Sequence, residues 1–325
     1  MNRILKRMML LMALLSLVLV SCAEVPSSLR KTDSDRKVSM IVKMNSGSFW
    51  NTVKMGAEVA AKEYNVELTF TGPDSENDIE GQITLVEDAI QNKADAIILS
   101  ASDYMRLAQV TDTASHHKIP VISMDTEVAS ARVKSFVGTN NYEAGQKAAE
   151  RLIELIGGRG QVGLVSFVEG ARNANERASG MLDYLARFPN IDVVDLVYCG
   201  SDVQLAAELT HDMLIQYPDL SGIIALNEVA GIGVSQEIQR LSLGGEVKII
   251  TFDSPPEVIE MIQEGIVQAT VIQNPFSNGY LAVKHAVDAI EGIQVPERDD
   301  TGSKLVDLDN MLWPENQKQL FPFVK

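Results

Sequence analysis

The chain has 325 residues, two cysteines and 44 acidic against 28 basic residues, a formal charge of −16. Nucleic acid is excluded as a natural partner, because phosphate binding needs a basic face that this composition does not supply. The length favours two lobes over one, and with only two cysteines those lobes must be held by a hydrophobic core rather than a disulfide framework.

Residues 1–21 carry Arg3, Lys6 and Arg7, no acid, and a largely apolar run from Met8 to Val20. A spanning helix needs about 20 apolar residues, whereas the apolar part of an export signal needs about 7–15. The segment 1–21 therefore reads as a signal peptide. The run ends Leu19-Val20-Ser21-Cys22, which resembles the lipobox of bacterial lipoproteins. That resemblance implies that Cys22 is lipidated and opens the mature chain, anchored in the cell envelope outside the cytoplasmic membrane, at the cell surface or in the periplasm. Cys199, the other cysteine, would then have no intramolecular partner. Removal of the signal leaves 25 basic and 44 acidic residues, a formal charge of −19. Residues 23–37, AEVPSSLRKTDSDRK, show no apolar periodicity, so 22–37 is expected to be an anchored, flexible tether.

From Val38 short apolar runs alternate with amphipathic stretches. Strands are expected at 38–44, 66–71, 95–99, 120–125, 161–167, 192–198, 221–226, 247–252 and 267–272. Helices are expected near 49–64, 78–92, 103–117, 141–157, 174–187, 202–216, 228–242, 255–264 and 277–292, with apolar spacings of three and four such as Ile79, Ile83, Val86 and Ile90. Such alternation means βαβ units and parallel sheets covered on both faces, and nine units are too many for one typical sheet. The expected fold is α/β, with two doubly wound parallel-sheet lobes meeting near the loop 138–141.

In open parallel sheets, ligands sit beyond the carboxyl ends of the strands. The residues found there include Lys43 to Trp50, Asp125 and Thr126, Glu169 to Arg177, Asn227 and Glu228, Asp253, and Gln273 to Phe276. Carboxylates that accept, amides and guanidinium groups that donate, and flat aromatic faces together suit a polyhydroxylated ring. Singly, each has a plainer use: Phe49 and Trp50 suit the first turn of a helix, and Asp125 and Asp253 suit turns or caps. Catalytic patterns are missing. The histidines, His116, His117, His211 and His285, fall in expected helices, so neither a metal nor a histidine base is expected, and no GxSxG or GxxxxGK[ST] motif occurs. Gly231 and Gly233 lie inside a helix pattern, without the third glycine or the preceding turn of a dinucleotide fingerprint. No cofactor is expected.

In order along the chain stand FWNTVKMGAEVAAKEY, KADAIILSASD, KIPVISMDTE, SFVGTNNYEAGQKAAERL, ARNANERASG, IIALNEVAGIGV, IITFDSPPE and VQATVIQNPFSNGYLAV. Across Val38 to Gly292 the chain resembles the ribose-type, type I periplasmic sugar-binding proteins. The resemblance implies that Phe49 and Trp50 sandwich a sugar ring, and that Asp125, Arg177, Asn227, Asp253 and Gln273 hold its hydroxyls. Four positions depart from that pattern. Thr126 stands where an arginine follows the aspartate, Lys43 replaces a polar residue near the end of the first strand, and Arg172 with Asn173 adds donors beside Arg177; for that reason no particular sugar is named. The family's three crossings imply one lobe of 38–139 plus 274–302 and another of 140–273 plus 303–325, closing as a monomer on the ligand.

Delivery to the permease of an ABC importer is the function this implies. A sensor that signals to a membrane histidine kinase is the runner-up. A glycan hydrolase using Asp125 and Asp253 is a more distant alternative, since paired carboxylates about 5–10 Å apart serve glycosidases.

Overall fold

The computed structural model describes residues 36–320. The signal segment, Cys22 and the tether as far as Asp35 lie outside the described residues. In chain order the elements are β1 (Arg36–Ile41), α1 (Ser48–Glu63), β2 (Val66–Thr71), α2 (Ile79–Gln91), β3 (Ala96–Leu99), α3 (Ala108–His116), β4 (Val121–Met124), β5 (Ser135–Gly138), α4 (Asn141–Ile156), β6 (Gly160–Ser166) and α5 (Arg172–Leu185). There follow β7 (Ile191–Tyr198), α6 (Val203–Gln216), β8 (Leu220–Ala225), α7 (Glu228–Arg240), β9 (Lys248–Phe252), α8 (Pro256–Gln263), β10 (Ala269–Ile272), α9 (Pro275–Ile290), β11 (Arg298–Asp300), β12 (Lys304–Asp307) and α10 (Pro314–Leu320).

Two six-stranded sheets form, ordered β11-β5-β4-β3-β1-β2 and β12-β10-β9-β8-β6-β7. The orders are the same walk taken twice, so each strand of one lobe has a counterpart in the other. Every pairing is parallel except β10 with β12. Parallel sheets need cover on both faces, and successive side chains of a strand point to opposite sides. In β3, accordingly, Ile98 packs with Trp50, Val53, Ala57 and Ala282 of α1 and α9, while Ile97 and Leu99 pack with Val86, Val110 and Ala114 of α2 and α3. The second sheet is enclosed likewise, by α4 and α5 on one face and α6, α7 and α8 on the other. Cys199 is buried in that core, and burial pushes its thiol up to about 11.

The chain leaves the first sheet after Gly138, returns from the second after Ile272, and leaves the first again after Asp300. The Asp300 carboxylate ties two of these passages together, accepting from Asn140 N at 3.1 Å and Gly302 N at 2.9 Å. At the third passage the Asn274 side chain caps α9, accepting from Ser277 N, ahead of Pro275.

Four differences from the expected elements have local causes. Arg36 and Lys37, assigned to the tether, belong to β1: they pair with Val66 and Glu67, and Lys37 N donates to Asp95 at 2.9 Å. The third helix starts at Ala108 rather than 103, because the Asp103 carboxylate accepts from Met105 N and Arg106 N and holds a turn. The stretch 135–138 is a fully buried strand, not the lead-in to a loop. The short strands β11 and β12 and the helix α10 fall in the C-terminal stretch to which the sequence pattern assigns no element.

Gly56 of α1 and Gly279 of α9 let those helices touch backbone to backbone; a Cβ on Gly279 would overlap the carbonyl oxygen of Val53. Replacing Gly279 by valine should cost about 1–3 kcal/mol or more through overpacking, and lower the melting temperature by several degrees. Calorimetry of Gly279→Val against wild type checks this.

Candidate functional site

The carboxyl ends of β1 and β4 in one lobe face those of β6, β8, β9 and β10 in the other. Between them lies a cavity lined by side chains from both lobes. Two aspartates occupy equivalent places in it. Asp125 follows β4 and donates its N–H to Val137 O of β5; Asp253 follows β9 and donates its N–H to Val271 O of β10, each at 2.9 Å. Both residues are left-handed, with φ of 65° and 70°. That conformation turns the chain at the strand end, and aspartate is among the few side chains that tolerate it.

Each carboxylate is 7 % exposed or less and almost fully engaged. Asp125 Oδ2 accepts from Ser100 Oγ at 3.1 Å and Asn173 Nδ2 at 3.2 Å, and lies 3.4 Å from Lys43 Nζ. Lys43, itself buried, reaches across to Asn173 Oδ1 at 3.0 Å and stands 5.1 Å from the centre of the Phe167 ring. Asp253 Oδ1 accepts from Gln273 Nε2 at 2.7 Å, and its Oδ2 accepts from Glu228 N at 3.1 Å. Burial pushes Asp253 up, against the Arg177 charge, which pulls it down.

Arg177 is the central donor. Asn141 Oδ1 accepts from its Nε at 2.9 Å, Leu226 O from its Nη1 at 2.7 Å, and its plane lies 4.5 Å from the Phe252 ring centre. Its Nη2 and the Oε1 of Gln273 have no hydrogen-bond partner among the described residues. One buried donor and one buried acceptor of the lining are thus left over, a cost that a bound molecule would relieve. The apolar wall is Phe167 from one side and Phe49 and Trp50 from the other, those two rings packed edge to face with centroids 5.0 Å apart.

Of the residues singled out from the sequence, Lys43, Phe49, Trp50, Asp125, Asn173, Arg177, Asn227, Asp253 and Gln273 line this cavity. Asn227 also caps α7, accepting from Ala230 N, and donates to Ser201 Oγ. Arg172 and Thr126 are not among the lining residues. The Arg172 guanidinium turns outward to Glu176 at 2.8 Å and packs on the Tyr104 ring, and the Thr126 hydroxyl accepts from Asn173 N behind the wall. Both stand beside true lining residues, on one helix start and one strand end, and sequence position alone does not separate them from those neighbours. Glu76, Phe167 and Glu228 line the cavity as well, beyond the site expected from the sequence. Glu228 was legible as a strand-end residue; Glu76 lies in a loop with no apolar run before it. No group of three His, Cys, Asp or Glu side chains among the described residues is placed to hold a metal ion.

Residues 38–294 match the model of the periplasmic binding protein domain. The ribose import binding protein of Bacillus subtilis (strain 168) is 25% identical over 295 residues, covering 89% of this chain and 95% of that protein. The D-allose-binding periplasmic protein of Escherichia coli (strain K12) is 28% identical over 280 residues, or 83% and 89% of the two chains. Among solved structures, a carbohydrate transporter solute-binding protein from Agrobacterium radiobacter in complex with D-arabinose superimposes with a TM-score of 0.85 at 30% identity, covering 88% of this chain and 98% of that one.

Burial, then the neighbouring Asp253 charge, pushes the Glu228 carboxyl up from 4.5 to about 7, against the pull of the Ser48 and Phe49 N–H groups. A carboxyl raised in this way contributes stability that is complete below its ordinary value and is lost as the pH climbs through 7. Asp253 shifts in the same direction. Melting temperatures measured from pH 5.5 to pH 8 should therefore fall in wild type, and fall less in Glu228→Gln.

Proposed function

The chain belongs to the periplasmic binding protein family, and from that premise we propose that it captures a neutral monosaccharide outside the cytoplasmic membrane and delivers it to the permease of an ABC importer. The carrying observation is the buried cavity in which Arg177 Nη2 and Gln273 Oε1 stay unpartnered between aromatic faces. A sugar hydroxyl is donor and acceptor at once, so one hydroxyl can serve Asp253 or Gln273 while another takes the free Arg177 N–H. The C–H faces of the ring lie against Phe49, Trp50 and Phe167.

Charge favours a neutral ligand. Four carboxyl groups, of Glu76, Asp125, Glu228 and Asp253, line the cavity with two cations, Lys43 and Arg177, so even with Glu228 and Asp253 protonated the cations do not outnumber the carboxylates. A sugar phosphate or sugar acid would bring charge for which no counterion is to spare. Relatives named for ribose and allose, and the D-arabinose complex, support a ligand of pentose or hexose size. The same membership makes the chain a binding protein and not an enzyme, and the two aspartates act as hydroxyl acceptors. None of these relatives is named as a signalling component, so the sensor reading has no support here. In this function Cys22 is the lipid anchor, and the lobes 38–139 plus 274–302 and 140–273 plus 303–325 close about the three passages between the sheets.

A thermal-shift screen of pentoses, hexoses, inositols and sugar phosphates tests the reading. One or more neutral sugars should raise the melting temperature progressively with concentration, while sugar phosphates do not. Stabilisation by phosphates alone would overturn it. With the sugar so found, calorimetry should show binding lost in Asp253→Ala and Arg177→Ala, and weakened roughly tenfold in Trp50→Ala through lost ring contact.

A further inference from the structure

We infer that Glu228 is a positioning residue of the binding site that works from the opposite lobe, capping the helix that carries Phe49 and Trp50 only when the two lobes are together. This rests on the reading that the lobes open and close on a ligand. The first N–H groups of a helix have no partner inside it and need one from elsewhere. Helix α1 supplies none of its own: its N-cap is Gly47, no side chain caps it, and its first turn holds no acid. The partner comes from α7 across the cleft. Glu228 Oε1 accepts from Ser48 N and Oε2 from Phe49 N, both at 2.8 Å.

The surrounding residues are shaped to this contact. Gly47 has φ of 105°, a conformation that side chains rarely adopt, and a Cβ there would come within 3.3 Å of Glu228 Oε1. On its own lobe Glu228 is held by its N–H, which donates to Asp253 Oδ2. A continuous chain of hydrogen bonds therefore runs from Gln273 through Asp253 and Glu228 to the start of α1. A hydroxyl received by Asp253 and a ring stacked on Trp50 are coupled through one carboxylate. When the lobes part, water takes both ends of the contact. When they meet without the carboxylate, two part-buried N–H groups lack an acceptor, which opposes closure.

Closure can be measured without a sugar. Gly170 and Asp103 face each other across the cleft, with a Cβ on Gly170 falling 3.4 Å from Asp103 Cβ, and Tyr104 N donates to Gly170 O at 2.9 Å. That spacing suits a disulfide. In the full chain carrying Asp103→Cys, Gly170→Cys and Cys22→Ser, the rate of cross-linking under mild oxidant reports how often the lobes meet.

Adding Glu228→Ala should slow cross-linking about tenfold or more, because the first N–H groups of α1 then close without an acceptor. Glu228→Gln, which keeps one acceptor but turns a donor toward the other N–H, should slow it severalfold. Asn77→Ala, which removes an exposed interlobe bond to Gly200 O, should stay within twofold. Melting curves of the reduced proteins show that each variant folds. Wild-type rates in both Glu228 variants, or equal slowing by Asn77→Ala, would overturn the inference. Because no sugar is present, either result stands apart from the sugar screen, whose failure would bear on the ligand alone.

Discussion

The structure depends on keeping several ionisable side chains dry between two sheets. Stripping a charge of water costs several kcal/mol even after relaxation, and the cost is recovered only by close, well-aligned partners. Here Lys43, Asp125, Arg177 and Asp253 are all buried, and their partners come from both lobes. The Lys43–Asn173 bond and the Glu228 bonds to Ser48 and Phe49 cross the cleft. The arrangement therefore holds its charges by joining the lobes.

The repeated topology supplies the means. Because both sheets follow the same strand order, β4 and β9 hold equivalent places in the two lobes, and each hands on to an aspartate whose N–H bonds to the next strand. The left-handed backbone at Asp125 and Asp253 costs local strain, held in place by the buried strands before and after it. Strain of this kind aims a short carboxylate into the cleft, where a regular turn would aim it at solvent. Arg177 is placed by a different device: α4 and α5 approach so closely at Gly145 and Gly180 that Asn141 reaches the guanidinium.

Much of this is legible in the order of residues along the chain. Near-continuous apolar runs such as AIIL and VISM become fully buried strands, because only a parallel sheet with helices on both faces hides every side chain. What is not legible is short or directional. β11 and β12 are three and four residues long and largely polar, and they exist because their sheets have open edges to fill. Arg172 and Arg177 stand on one helix a turn and a half apart; the sequence counts both as donors, and only the packing of α5 sends one inward and the other to Glu176. Glu76 enters the cavity from a loop because Ser201, across the cleft, donates to it at 2.7 Å. No periodicity in either segment announces that meeting.

The substitution at Thr126 shows how the network compensates for a missing charge. The resemblance to the ribose-type proteins implies an arginine directly after the aspartate of the fourth strand, where this chain has Thr126. Thr126 carries no charge and turns its hydroxyl to Asn173 N. The positive charge comes instead from Lys43 at the end of β1, 3.4 Å from Asp125 Oδ2. An ammonium is a point charge with rotatable donors, whereas a guanidinium is a rigid fork that matches two acceptors at fixed spacing. Moving the cation from β4 to β1 therefore preserves the neutrality of the Asp125 pair while removing a fixed two-pronged donor from the first lobe. The fixed fork that remains is that of Arg177, on the second lobe, with one prong free.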